Sequence, residues 1–176
     1  MTRNEYIIRY APFVIGALKD TKLFPSVMMA QAIIESSNKA GIPGASLLAS
    51  KYNNHFGIKA DSSWYGDKID LKTTEYVKGV FKTVKSWFRV YEHAHHSFTD
   101  RISFLVENPR YQKGGVFNAL DAAQQALALQ RSGYATDPAY ASRLIALMRR
   151  LGLEELDRIG PDVLDLVRFI YSRFTK

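Results

Sequence analysis

Over residues 4–19 apolar side chains recur at roughly helical spacing (Ile7, Ile8, Tyr10, Ala11, Val14, Ile15, Leu18), which predicts an amphipathic helix. After a break at Asp20-Thr21-Lys22, Pro25 marks the start of a second helix over residues 25–36, since proline is tolerated at a first helical position. Its Val-Met-Met-Ala-Gln-Ala-Ile-Ile stretch is apolar nearly all round, as expected of the buried centre of a helical domain. Glu35 sits at its C-terminal end, before Ser36-Ser37-Asn38. Gly41, Pro43 and Gly44 then punctuate a loop or short helix.

Over residues 68–91 the period changes to two. Ile69, Leu71, Thr73 and Glu75 alternate with Asp70, Lys72, Thr74 and Tyr76, and Trp87, Arg89 and Tyr91 alternate with Phe88 and Val90. This predicts a β-hairpin inserted between helices. The helical pattern returns over residues 97–106, 120–132 and 138–151. A tail helix over residues 161–175 carries Val163, Leu166, Val167, Ile170 and Phe174 along one face, with acids early and arginines late as the helix dipole favours. With no repeat or linker, the expected architecture is mainly α (α+β), a helical lobe with a small β-hairpin lobe. Residues 1–155 form the domain, and residues 156–176 form a C-terminal helix packed on it.

Composition narrows the function classes. At 176 residues, 47% hydrophobic and 23% charged, the chain can bury a sizeable core, which excludes disorder for its bulk. A net charge of +7 favours polyanionic partners such as nucleic acid, anionic lipid or an anionic cell wall. The absence of cysteine excludes disulfides, thiolate nucleophiles and cysteine-ligated zinc. No run approaches the roughly 20 apolar residues of a membrane span. The Met-Thr-Arg-Asn-Glu-Tyr start lacks the apolar core of a signal peptide.

Glu35 is the residue with chemistry. On the last turn of an apolar helix, burial and the negative end of the dipole both disfavour its ionised form, and a raised pKa suits a general acid. Position alone equally allows a polar residue that ends a helix and begins a solvated loop.

The surrounding motifs carry a resemblance. Ala30-Gln31-Ala32-Ile33-Ile34-Glu35-Ser36 resembles the AQAxxES element of the cell-wall glucosaminidases of glycoside hydrolase family 73. Tyr52-Asn53-Asn54-His55-Phe56-Gly57-Ile58-Lys59 is similar to that family's YNNLFGIK, with His55 where leucine is usual. Thr73-Thr74-Glu75-Tyr76, Phe88-Arg89-Val90-Tyr91 with Ser97-Phe98-Thr99-Asp100, Asn108-Pro109-Arg110-Tyr111, and Tyr134 to Ala141 resemble further elements in the family's order. After the Glu-Ser pair many relatives have Gly-Trp-Gly, whereas this chain has Ser37-Asn38-Lys39.

The resemblance implies a lysozyme-like fold whose two lobes flank a substrate groove. It implies hydrolysis of the β-1,4 bond between N-acetylglucosamine and N-acetylmuramic acid in peptidoglycan, without a cofactor. Glu35 matches the family's general acid and Glu75 its second carboxylate, and Asp100 and Tyr134 match positions implicated in activity. Asn54, Phe56, Trp64, Tyr111 and Tyr140 are candidate substrate contacts. The expected partner is the glycan strand, met by a monomer in the cell wall or periplasm. Export is expected by phage lysis, a dedicated secretion system, or a signal absent from this sequence.

Other readings stand beside these. Asp100 equally suits a helix N-terminus, Tyr134 and Tyr140 packing within a helical lobe, Asn53 and Asn54 a structural loop, and Trp64 and Tyr65 the hairpin's core. His93, His95 and His96 read as a polar turn, or as a metal cluster with His93 and His95 on one strand face, although no carboxylate stands at a ligand spacing. Alternatives for the whole chain are a muramidase or lytic transglycosylase on the same scaffold and a non-catalytic wall-binding module. A nucleic-acid module lacks any recognition signature.

Overall fold

The computed structural model describes residues 1–77, 80–159 and 163–174. Helix α1 (Arg3–Leu18) opens on a reciprocal cap: Thr2 Oγ1 accepts from the Glu5 N–H, and the Glu5 carboxylate accepts from the Thr2 N–H at 2.7 Å. Its apolar stripe faces α2 (Pro25–Glu35), in which every residue from Ser26 to Ile33 is buried. Burying side chains such as Val27, Met28 and Met29 contributes about 1.5–3 kcal/mol each. No side chain within α2 caps its start. Asp157, far away in sequence, does so, accepting from both the Ser26 N–H and the Ser26 hydroxyl at 2.7 Å.

Ser46 caps the short α3 (Leu47–Tyr52), which ends on Asn53 in the left-handed region. Strands β1 (Lys68–Val77) and β2 (Val80–Arg89) pair antiparallel, from Lys68 opposite Arg89 to Val77 opposite Val80. An isolated two-stranded ribbon is marginal in water, so its anchoring matters. The Arg89 N–H donates to the Ile58 carbonyl at 3.0 Å, and the Ala60 N–H to the Trp87 carbonyl at 2.9 Å. Phe88 points into the protein while Trp87 is half exposed, as alternation along a strand requires.

The helical body continues with α4 (Ala94–Glu107), α5 (Pro109–Lys113), a 3-10 turn (Val116–Asn118), α6 (Ala122–Arg131) and α7 (Tyr140–Leu151). A second 3-10 turn (Leu153–Arg158) and α8 (Val163–Phe174) follow. Helix α2 lies at the centre, touching α1, α6, α7 and the second 3-10 turn. The fold is mainly helical with one two-stranded hairpin, as the periodicity indicates. No described helix is long and apolar enough to cross a membrane.

Three local expectations change. Helix α5 and the two 3-10 turns are too short to leave a periodic signature. In α8 Leu166 is buried and Ile170 packs on the core as the stripe predicts, whereas Val167 is exposed and Phe169, outside the stripe, is buried. The side chains of Val163 and Phe174 lie outside the described residues. The histidines do not share a strand face. His93 precedes α4, and His95 and His96 lie in its first turn, the three rings packed with centroids 4.4–5.5 Å apart. Among the described residues no group of histidines and carboxylates is placed to hold a metal ion.

Candidate active site

Glu35 is the last residue of α2, and the chain after it is held firmly. The Ser36 N–H closes on the Ala32 carbonyl, the buried Ser36 hydroxyl accepts from the Gly44 N–H at 2.8 Å, and the Ser46 N–H donates to the Ser36 carbonyl at 2.8 Å. In place of the relatives' Gly-Trp-Gly, Asn38 organises a tight loop. Its side-chain oxygen accepts from the N–H groups of Ala40 and Ile42.

The Glu35 side chain is mostly enclosed, with part of its surface open. Tyr140, at the start of α7, donates its hydroxyl to Glu35 Oε1 at 3.0 Å. The Gln31 amide N–H in turn donates to the Tyr140 oxygen at 2.8 Å, and Arg101 Nη2 donates to the Gln31 carbonyl oxygen. The donors therefore run one way, from Arg101 through Gln31 and Tyr140 to the carboxyl group. No described residue hydrogen-bonds Glu35 Oε2, which leaves that oxygen to carry a transferable proton. Burial pushes the Glu35 pKa above the usual carboxylate range, and this outweighs the opposing pull of the Tyr140 hydrogen bond and the Arg143 charge.

Arg101 is fully buried, and among the described residues its Nε and Nη1 have no hydrogen-bond partner. Among the described residues it pairs with no carboxylate. The Phe56 ring lies 6.0 Å from its guanidinium, and Tyr111, Tyr134 and Tyr140 are close enough for their phenol groups to favour its charged form. Arginine holds its proton even there, so the site contains a permanent buried cation. Tyr134, half-buried, stacks on Tyr140 with centroids 5.7 Å apart and planes at 21°. Burial and the nearby Glu35 raise its pKa despite Arg101.

A second cluster joins the hairpin to α4. Arg89 Nη1, at the end of β2, reaches both oxygens of Asp100 at 2.8 and 3.0 Å, and the Tyr91 hydroxyl donates to Asp100 Oδ2 at 2.5 Å. The Arg89 guanidinium lies 4.5 Å from the Trp64 ring centroid, and Trp64 meets Tyr91 edge to face. Both oxygens of Asp100 thus take part in the anchor between the lobes. Trp64 is half-buried on this anchor, with its indole N–H given to the Asp67 carbonyl at 2.9 Å, while Tyr65 is 97% exposed.

Several expected substrate contacts lie inside the protein. Asn54 is 1% exposed: its Nδ2 donates to the carbonyls of Ile58 and Arg89, and its Oδ1 accepts from the Ile58 N–H. Phe56 packs edge to face on Phe98, and Tyr111 is fully buried with its hydroxyl bonded by Arg110 at 2.7 Å. Tyr140 touches the acid while showing almost no surface. These four residues show little surface: the polar atoms of Asn54 and the hydroxyls of Tyr111 and Tyr140 have protein partners, and Phe56 offers only a ring packed against Phe98. Glu75 lies on β1 opposite Lys82, and its side chain is outside the described residues.

Sequence reasoning did not single out Gln31 or Arg101. Gln31 left a signal: it is the polar interruption in an otherwise apolar helix, one turn before Glu35 and on the same face. Arg101 left none, since an arginine after Asp100 in an amphipathic helix reads as surface. His55 is buried in the aromatic core, with Nδ1 2.6 Å from the Tyr6 hydroxyl and its ring against Tyr10 and Phe98.

A mostly enclosed carboxylic acid on the central helix of a helical body suits general-acid chemistry on a glycosidic bond. The chain belongs to the glucosaminidase family, whose model, described as mannosyl-glycoprotein endo-beta-N-acetylglucosaminidase, matches residues 11–153. It is 36% identical over 144 residues to the exo-glucosaminidase LytG of Bacillus subtilis, covering 80% of this chain and 49% of that protein. It is 45% identical over 98 residues to the peptidoglycan hydrolase FlgJ of Salmonella typhimurium, covering 56% of this chain and 30% of that protein. The chain therefore spans half or less of the length of these curated relatives. The catalytic domain of the Listeria monocytogenes autolysin Auto superposes with a TM-score of 0.72 at 30% identity, covering 88% of this chain and 87% of that one.

Proposed function

We propose that the protein hydrolyses the β-1,4 bond between N-acetylglucosamine and N-acetylmuramic acid in peptidoglycan, with Glu35 as general acid. The observation that carries this reading is the mostly enclosed Glu35 carboxyl, hydrogen-bonded by Tyr140 on one oxygen and by no described residue on the other. Protonated Glu35 delivers its proton to the glycosidic oxygen as the C1–O bond breaks, and the sugar ring develops oxocarbenium character. Water then attacks C1 and gives up a proton. Glu75, on the hairpin, is the candidate base for that proton; the substrate's own acetamido oxygen is the alternative nucleophile. Similarity to the peptidoglycan hydrolase FlgJ supports a cell-wall glycan as substrate, and with it action in the wall or periplasm. The net charge of +7 suits attraction to anionic wall polymers.

A muramidase reading has one observation in its favour: 36% identity over 141 residues to a probable N-acetylmuramidase of Lactococcus lactis. Borohydride reduction and mass spectrometry of fragments released from purified peptidoglycan separate the two. Reduced N-acetylglucosamine ends from the native protein, and none from Glu35→Gln, are the expected result. Reduced muramic or anhydro-muramic ends would assign the other bond, and near-native hydrolysis by Glu35→Gln would remove Glu35 from its role.

A further inference from the structure

Between the end of α2, helix α7 and the start of α1 lies a pocket of about 440 Å3, a volume typical of small-ligand sites. Its apolar wall includes Ile34, Ala146 and Leu147, and three arginines, Arg3, Arg143 and Arg150, line it. Arg143 is paired with Asp137 at 2.5 Å, while Arg3 and Arg150 have no ion-pair partner among the described residues. The three arginines are exposed around an open groove, where an anion can meet more than one guanidinium, a group whose geometry matches a carboxylate in particular. No aromatic face lines the pocket on which a sugar ring could stack. A ligand combining carboxylates with small aliphatic side chains fits both halves of the lining.

The pocket adjoins the acid. Ile34 and Ser37, which bracket Glu35 along the chain, form part of it, and Arg143 lies one turn after Tyr140 on α7. Glu35 is not itself part of the lining, so a ligand bound there sits beside the segment that carries the acid. In peptidoglycan the group of matching chemistry is the stem peptide, a short chain of alanine and acidic residues carried by N-acetylmuramic acid. Resting on the proposed function above, we infer that the Arg3–Arg143–Arg150 pocket binds the stem peptide of the substrate through its carboxylates and makes the protein selective for peptide-bearing strands.

The test compares kcat/KM on soluble peptidoglycan strands that keep their stems with kcat/KM on the same strands stripped by an amidase. The proteins are the native chain, Arg3→Ala/Arg150→Ala, and Arg131→Ala/Arg149→Ala. The last pair removes the same charge from exposed positions outside the pocket. The expected result is a native preference for stem-bearing strands that falls roughly five- to tenfold in Arg3→Ala/Arg150→Ala and persists in the control. Equal cleavage of both strands by the native protein overturns the inference while leaving the proposed function standing. An equal fall in both double variants also overturns it, because bulk charge would then be the cause. Cleavage of neither strand by the native protein overturns the proposed function and this inference together.

Discussion

The Tyr140 hydroxyl and Glu35 Oε1 stand 3.0 Å apart, and that hydrogen bond joins the central helix to α7 at the point where the acid emerges. It has two consequences. It engages one of the two carboxyl oxygens, and it stabilises the carboxylate, opposing the desolvation that raises the Glu35 pKa.

Removing that bond shifts the balance further toward the acid. Tyr140→Phe takes away an interaction that lowers the Glu35 pKa, so the alkaline limb of the kcat/KM profile, where the acid must still hold its proton, moves to higher pH. Turnover at the optimum falls about tenfold through loss of orientation. A pH–rate profile of the two proteins is the check, and an unmoved alkaline limb would detach Tyr140 from the acid.

Glu35→Gln is expected to be more stable than the native protein at neutral pH. The folded state holds the Glu35 proton above the ordinary value of 4.5, so it binds more protons than the unfolded chain as pH rises through that region. Stability contributed by the protonated acid is full below 4.5 and is lost as pH rises through the raised folded value. Ionised Glu35 is thus a cost at pH 7 that glutamine removes. Urea titrations at pH 4 and pH 7 should give a gain at the higher pH only.

Asp100 distinguishes anchoring from chemistry. Asp100→Asn strips the partner from Arg89, whose side chain is 6% exposed, and breaking such a pair costs about 3 kcal/mol. The expected outcome is a fall in melting temperature, with activity restored toward native by cooling or by ligand. A stable Asp100→Asn protein with lost turnover would give Asp100 a direct part in the reaction.

His55 predicts acid sensitivity. Burial lowers its pKa from 6.5 to about 4, so between those values the unfolded chain binds a proton that the folded protein refuses. Stability therefore declines as pH falls through that window, by roughly 3 kcal/mol in all. His55→Leu, which restores the residue usual in the resembled family, should flatten the slope of stability between pH 6.5 and pH 4. Chemical unfolding at several pH values measures it, and an unchanged slope would assign the acid sensitivity to other groups.

The sequence by itself determined the helical body, the hairpin and the position of a carboxyl at the end of the central helix. These are local matters: the apolar run of α2, the two-residue period of β1 and β2, and a carboxyl at a helix end are written in neighbouring residues. The tertiary structure alone decided what each polar side chain does. Asn54 and Asp100 look like ligands in a motif, yet Arg89, from the hairpin, supplies the carbonyl that Asn54 meets and the guanidinium that Asp100 meets. Arg101 looks like surface and lies fully buried, bonded to Gln31 seventy residues away in sequence. Asp157 caps α2 across an even longer separation. Burial of a polar group is tolerable only when distant partners arrive to satisfy it, and periodicity, which reports a residue's face on its own element, carries no record of which distant group packs against that face.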